Sequence, residues 1–171
     1  MTNEVDGYAF LGEEFLTWLW FRLETDGGDF DLGNGRSVGV SFDDYIRLAP
    51  AGDEETLQTL RAGMPSRSAE AAAGLRNGRR LQEAKLIIAL GELQWSLVLD
   101  GPTMTLRSIK LPDDDPEISE KNEKSSERAA NFILIQEIVE QIYALFLRIR
   151  LRPDYLTSDA ERQAQWMSSR V

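Results

Sequence analysis

The stretch NFILIQEIVEQIYALFLRIR, Asn131 to Arg150, decides how this chain folds. Ile135, Ile138, Ile142, Leu145 and Ile149 recur in it at alternating steps of three and four. Phe132, Val139 and Phe146, each one heptad apart, widen the stripe. At 3.6 residues per turn both sets fall on one side of a helix. The pattern predicts a long helix over 128–151, with a start as early as Glu123. About 28 helical residues span roughly 42 Å. A helix of that length must wall a core or meet a partner. Pro153 ends it, and Arg148, Arg150 and Arg152 lie around its last turn, where cations complement the helix dipole.

On the C-terminal side, Ser158 is placed to cap a short terminal helix, 158–169, that packs through Trp166. On the N-terminal side, residues 113–127 are rich in Asp, Glu, Lys, Ser and Pro and read as a solvated acidic linker. Before the linker, three alternating segments are joined by tight turns. They cover 80–90, 93–99 with Trp95, Leu97 and Leu99, and Met104 to Leu111. Gly91-Glu92 and Gly101-Pro102 separate them, and the set predicts an antiparallel meander.

Residues 9–25 read as a helix with apolar residues on more than one flank, Trp18 and Trp20 among them. Phe30 and Leu32, the turn Gly33-Asn34-Gly35, then Val38, Val40 and Phe42 read as a hairpin. Tyr45, Ile46 and Leu48 suggest a separate strand, and 55–62 another, although 53–62 also fits a helix. Pro65-Ser66 opens a short helix with Ser66 or Ser68 as cap, ended by Gly78 after Asn77. The expected fold is α+β: an antiparallel sheet packed against the N-terminal helix and the long C-terminal helix, in one domain over 1–171.

The chain contains no cysteine and no histidine. That removes disulfides, thiolate and imidazole metal sites, and serine or cysteine catalysis that relies on a histidine base. The first residues are polar and no apolar run approaches the roughly 20 residues of a membrane span, so a cytoplasmic protein without membrane contact is expected. The net charge of −10 is uneven. Residues 1–55 hold 13 acids and 3 bases, whereas 56–111 hold 4 acids and 8 bases. An acidic protein with a basic middle can still present a local cationic patch.

Several segments, taken in order, resemble the recombination-associated protein RdgC family, in particular its C-terminal part. They are the opening helix Phe10-Leu11-Gly12-Glu13-Glu14-Phe15-Leu16-Thr17-Trp18-Leu19-Trp20-Phe21 and the small-residue helix ending Leu75-Arg76-Asn77-Gly78. Lys85-Leu86 leading into Trp95-Ser96-Leu97, the run Leu106-Arg107-Ser108-Ile109-Lys110-Leu111-Pro112 and the helix end Phe146-Leu147-Arg148-Ile149-Arg150 complete the set. The resemblance implies an accessory protein of DNA recombination that binds duplex DNA without sequence preference and works as a dimer. The chain departs from the family in being short and strongly acidic and in lacking its N-terminal portion. A partner or a second copy is therefore expected to complete the DNA contact.

If DNA is bound, the phosphate ligands must be clustered cations. Arg61, Arg67, Arg76, Arg79, Arg80 and Lys85 form the first candidate group, Arg107 and Lys110 a second, and Arg148, Arg150 and Arg152 a third. A homodimeric scaffold with no DNA role is the alternative, with Trp18, Trp20, Ile135, Ile138, Ile142 and Leu145 as its interface. Each of these apolar residues is equally suited to an internal core. A second alternative is a Mg²⁺-dependent nuclease, from the strand triplet Glu83-Ala84-Lys85 with Glu70 upstream. No catalytic residue, cofactor or metal ligand is otherwise assigned. The acidic Asp113-Asp114-Asp115, Glu13-Glu14 and Asp43-Asp44 read as surface charge.

Overall fold

The computed structural model describes residues 9–50 and 57–170. They form four α-helices and one antiparallel sheet of six strands, the α+β architecture expected. In chain order the elements are α1 (Ala9–Thr25), β1 (Asp29–Gly33), β2 (Arg36–Pro50), β3 (Gln58–Arg61), α2 (Ala69–Arg76), β4 (Arg79–Leu90), β5 (Leu93–Asp100), β6 (Thr105–Lys110), α3 (Lys121–Arg150) and α4 (Asp159–Ser169). The sheet order is β1-β2-β4-β5-β6, and β3 pairs with the far end of β2.

The hairpin between β1 and β2 turns at Asn34, whose φ of 52° is the left-handed value that such a turn requires. β2 differs from expectation: the segment at 45–48 is not a separate strand but continues from 36–42. Phe42 pairs with Leu86 and Ile46 with Ala84, so β2 carries extra residues against β4 and bulges at Asp43-Asp44. The two aspartates read as surface charge between separate strands because acidic residues are poor strand formers. The tertiary pairing on either side overrides them. At β3 the strand reading holds for Gln58–Arg61, and residues 51–56 lie outside the described part of the chain. The meander is β4, β5 and β6, with Met104 in the preceding turn at φ 52° and not in the strand.

α3 starts at Lys121, earlier than the expected 128, and the irregular acidic connection is correspondingly shorter. The charged residues 121–127 extend the helix into solvent, where composition conceals it. Arg128 donates twice to Asp114 at 2.8 Å and ties the connection to this end.

One face of the sheet carries the helices. α1 lies across it, flanked by α3 and α4. Phe15, Leu16, Trp18, Leu19, Trp20 and Phe21 are all at most 2% exposed, so this helix is buried nearly all round. Trp18 and Phe15 meet Phe146 of α3 with ring centroids 5.4 and 5.7 Å apart. On the other flank Trp166 of α4 stands edge-on to Trp20 and Phe21, as expected of that tryptophan. The close fit at the start of α1 depends on two glycines. A Cβ on Gly12 would lie 1.6 Å from the carbonyl oxygen of Gly101, in the β5–β6 turn.

The stripe that opened the reading faces this core. Ile135, Ile138, Val139, Ile142 and Phe146 are buried, whereas Phe132 stays 43% exposed. Trp18, Trp20, Ile135, Ile138 and Ile142 are therefore interior residues of one chain, with Leu145 half-buried beside them. This corrects their assignment to a dimer or partner interface: side chains already closed off by α1, α3 and the sheet have no surface left for a second copy. None of the described helices is long and apolar enough to cross a membrane.

Candidate nucleic-acid interface

The candidate cations lie in several surroundings, two of which contrast most. The first is a corner built around α2. Ser68 caps this helix through its Oγ, which accepts from the Ala71 N–H at 3.1 Å. Gly78, at φ 84°, then reverses the chain into β4. The reversal brings Arg76, at the end of α2, and Arg79 and Arg80, at the start of β4, to one corner. β4 pairs there with the end of β2, Arg79 opposite Pro50 and Arg80 opposite Ala49. Arg67, in the 3₁₀ turn Pro65–Arg67, stands apart from this corner, lining clefts with Leu23, Glu24 and Arg170 and with Gly28, Val40 and Ser41.

At this corner the arginines make few demands on one another's charge. Arg76 donates to the carbonyl of Arg170, and Arg80 to the carbonyl of Arg79 at 3.0 Å. Arg61 lies away from this corner, opposite Tyr45 beside the β2 bulge, with its guanidinium 4.8 Å from that ring's centroid. Among the described residues no carboxylate forms an ion pair with Arg61, Arg67, Arg76 or Arg80.

The second place is the helix-free face of the sheet, and there the cations are neutralised. Lys85 lies between the two bulge aspartates, with Nζ 3.0 Å from Asp43 and 3.0 Å from Asp44. Hydrogen bonding to Asp43, then to Asp44, raises its pKa above the ordinary 10.5. Glu83, two residues earlier and only 1% exposed, is held between two arginines. Arg47 reaches it at 2.7 Å from the paired position on β2, and Arg107 engages it from β6. Asp100, opposite Glu83 on β5, lies 3.8 Å from Arg47 and extends the row. Lys110 is exposed at the end of β6, beside a cleft of about 430 Å³ that Lys85 and Asp113 also line.

This arrangement changes the standing of three sequence candidates. Lys85 and Arg107 belong to internal ion pairs, which leaves them little charge to offer a phosphate. In the triplet Glu83-Ala84-Lys85 both ionic side chains point to the same face, as alternation requires. Each is nevertheless engaged by an opposite charge. Among the described residues no three acidic side chains are grouped as a metal site would need. In the third group Arg150 pairs with Glu14 at 2.7 Å and lies over Tyr155, while Arg148 and Arg152 are exposed.

Sequence reasoning missed Arg47 and Arg170. Arg47 gave no signal because its partner lies on another strand. Arg170 gave none because its contacts come from α1 and from the turn before α2. Comparison with protein families, with curated proteins and with solved structures finds no match to the chain.

Proposed function

We propose that this protein is a non-enzymatic, RdgC-like accessory protein of DNA recombination. It associates with duplex DNA, without sequence preference, through the corner around α2. The observation that carries the reading is the gathering there of Arg76, Arg79 and Arg80. Among the described residues, Arg76 and Arg80 have no carboxylate partner. Guanidinium groups in that condition suit phosphate oxygens, which accept two parallel N–H bonds from each. The acidic majority of the surface limits affinity, so one copy binds weakly and a dimer or partner strengthens the complex by doubling the contacts. The ordered segments that resemble the RdgC family point the same way.

The test is duplex-DNA binding at two salt concentrations. About three phosphate contacts make affinity fall roughly fortyfold between about 50 and 200 mM salt. Binding that ignores salt, or is absent at low salt, overturns the reading.

A second reading, a homodimeric scaffold without a DNA role, is favoured by a different surface. β6 is an edge strand of the sheet. Between it and α3 runs an apolar groove of about 470 Å³, lined by Met104, Leu106, Ile109, Phe132, Val139 and Tyr143. A second copy pairing strand to strand would use this surface in place of the buried helix stripe. Mass measurement by light scattering, with Phe132→Asp as the control, decides it.

A further inference from the structure

The indole rings of Trp20 and Trp166 stand at 75° to each other, their centroids 5.8 Å apart. Into the angle between them comes Arg170, the residue after α4. Its guanidinium carbon lies 4.7 Å from the centroid of Trp20 and 5.0 Å from that of Trp166. Glu24, one helical turn beyond Trp20, closes the site. It accepts from Trp20 Nε1 at 2.9 Å and from Trp166 Nε1 at 3.0 Å, and it pairs with Arg170 Nη1. The carbonyl of Ser66 accepts from Nη2 at 2.6 Å.

Two aromatic faces, a carboxylate and a carbonyl at these positions fit a flat, delocalised cation with several donors. A lysine ammonium is a point charge and cannot reach both oxygens with one planar fork. The carboxylate of Glu24 is held by both indoles, so the seat is organised by the protein and not by its occupant.

The fit of Arg170 itself is incomplete. Its Nε is buried and meets no acceptor, although the side chain is only 10% exposed. Beside it opens a cleft of about 410 Å³ lined by Leu23, Glu24, Arg67 and Arg170, which gives another group a way in.

We propose that Trp20, Trp166 and Glu24 form a guanidinium-binding cage. Arg170 fills it within the chain, and an arginine side chain of a partner takes the seat when Arg170 leaves. The exchange has a local consequence, because the carbonyl of Arg170 also accepts from Arg76 and leaves with it. The cage itself is independent of the DNA reading.

The experiment uses the full chain carrying Arg170→Ala, with methylguanidinium as probe and neutral, isosteric methylurea as control. Tryptophan emission of the variant is expected to shift to the red. Methylguanidinium is expected to reverse the shift with a saturable midpoint on the order of 1 mM. Methylurea acts about tenfold more weakly, the wild type does not respond because its seat is filled, and Arg170→Ala/Trp166→Ala does not respond because the seat is broken. The tripeptide Gly-Arg-Gly then reproduces the methylguanidinium response, and its citrulline counterpart does not. If Arg170→Ala does not fold, Arg170→Gln, which keeps the stem, carries the same titration. An unsaturable response, equal responses to methylguanidinium and methylurea, or an equal response of the wild type overturns the proposal.

Discussion

The corner around α2 and the helix-free face of the sheet carry the same kinds of side chain and treat them in opposite ways. On the sheet face, cross-strand pairing sets Arg47 against Glu83, and the β2 bulge brings Asp43 and Asp44 over Lys85. Positive charge there holds strands together. Around α2, a cap, a helix of eight residues and a glycine reversal bring Arg76, Arg79 and Arg80 together, and no described carboxylate answers Arg76 or Arg80. The contrast shows that a cation's availability is set by what stands on the next strand, and much less by how many bases its own segment contains.

Reversing charge at the corner tests that contrast most severely. The triple substitution Arg76→Glu/Arg79→Glu/Arg80→Glu should weaken duplex-DNA binding by at least about a hundredfold near 50 mM salt. Its thermal midpoint should fall modestly, since Arg76 is exposed but Arg79 and Arg80 are half-buried at the start of β4. Fluorescence anisotropy beside a melting curve reads both, and an unchanged affinity removes the corner from the interface.

The sheet face should respond in the reverse sense. Glu83→Ala takes from Arg107 its carboxylate and leaves Arg47 only Asp100, 3.8 Å away. Because both arginines are partly exposed, the loss is reduced from that of a fully buried pair to about 2–3 kcal/mol. That corresponds to a fall in melting temperature of roughly 4–12 °C for a chain of this length. DNA affinity should stay within about threefold. A DNA defect as large as that of the triple variant would merge the two regions into one surface.

Lys85→Met sharpens the same point at smaller scale. A partly exposed pair contributes up to about 1 kcal/mol, so the urea midpoint should fall slightly with no measurable effect on DNA. The sign of the pH dependence follows from the raised pKa of Lys85. The stability from its pair with Asp43 and Asp44 is fully present below the ordinary 10.5 and is lost as pH climbs through the raised value. The gap between wild-type and Lys85→Met midpoints should therefore close above pH 10.5 and stay constant from pH 7 to 9. A gap that widens in alkali contradicts the pairing.

The least effect is expected at Asp114, which Arg128 holds below the usual carboxylate range through its hydrogen bonds. That contribution is present above the ordinary carboxylate value and fades as pH falls through the lowered one. Asp114→Asn should leave melting at pH 7 nearly unchanged. It should speed amide exchange in the connection before α3, read by mass spectrometry.

The elements visible in the sequence are those whose period is local. The α1 and α3 repeats, the Asn34 turn and the alternation of Trp95, Leu97 and Leu99 each declare themselves within a dozen residues. What stayed hidden depends on partners far along the chain. Asp43-Asp44 read as a break because the strand pairing that holds the bulge comes from β4. The start of α3 at Lys121 read as linker because its first turns are solvated and carry no apolar stripe. For the candidate interface, residue type was legible and pairing was not. Nothing near Lys85 or Arg107 in sequence announces Asp44 or Glu83, and nothing near Trp20 announces Arg170.

The meeting of Gly12 with Gly101 fixes how the first helix seats on the sheet. The two residues are separated by 89 positions (101 − 12), and the approach leaves no room for a side chain on Gly12. The β5–β6 turn is thus the socket that receives the start of α1. Gly12→Ala would drive a methyl group into the Gly101 carbonyl and lever α1, with its six large buried side chains, away from the sheet.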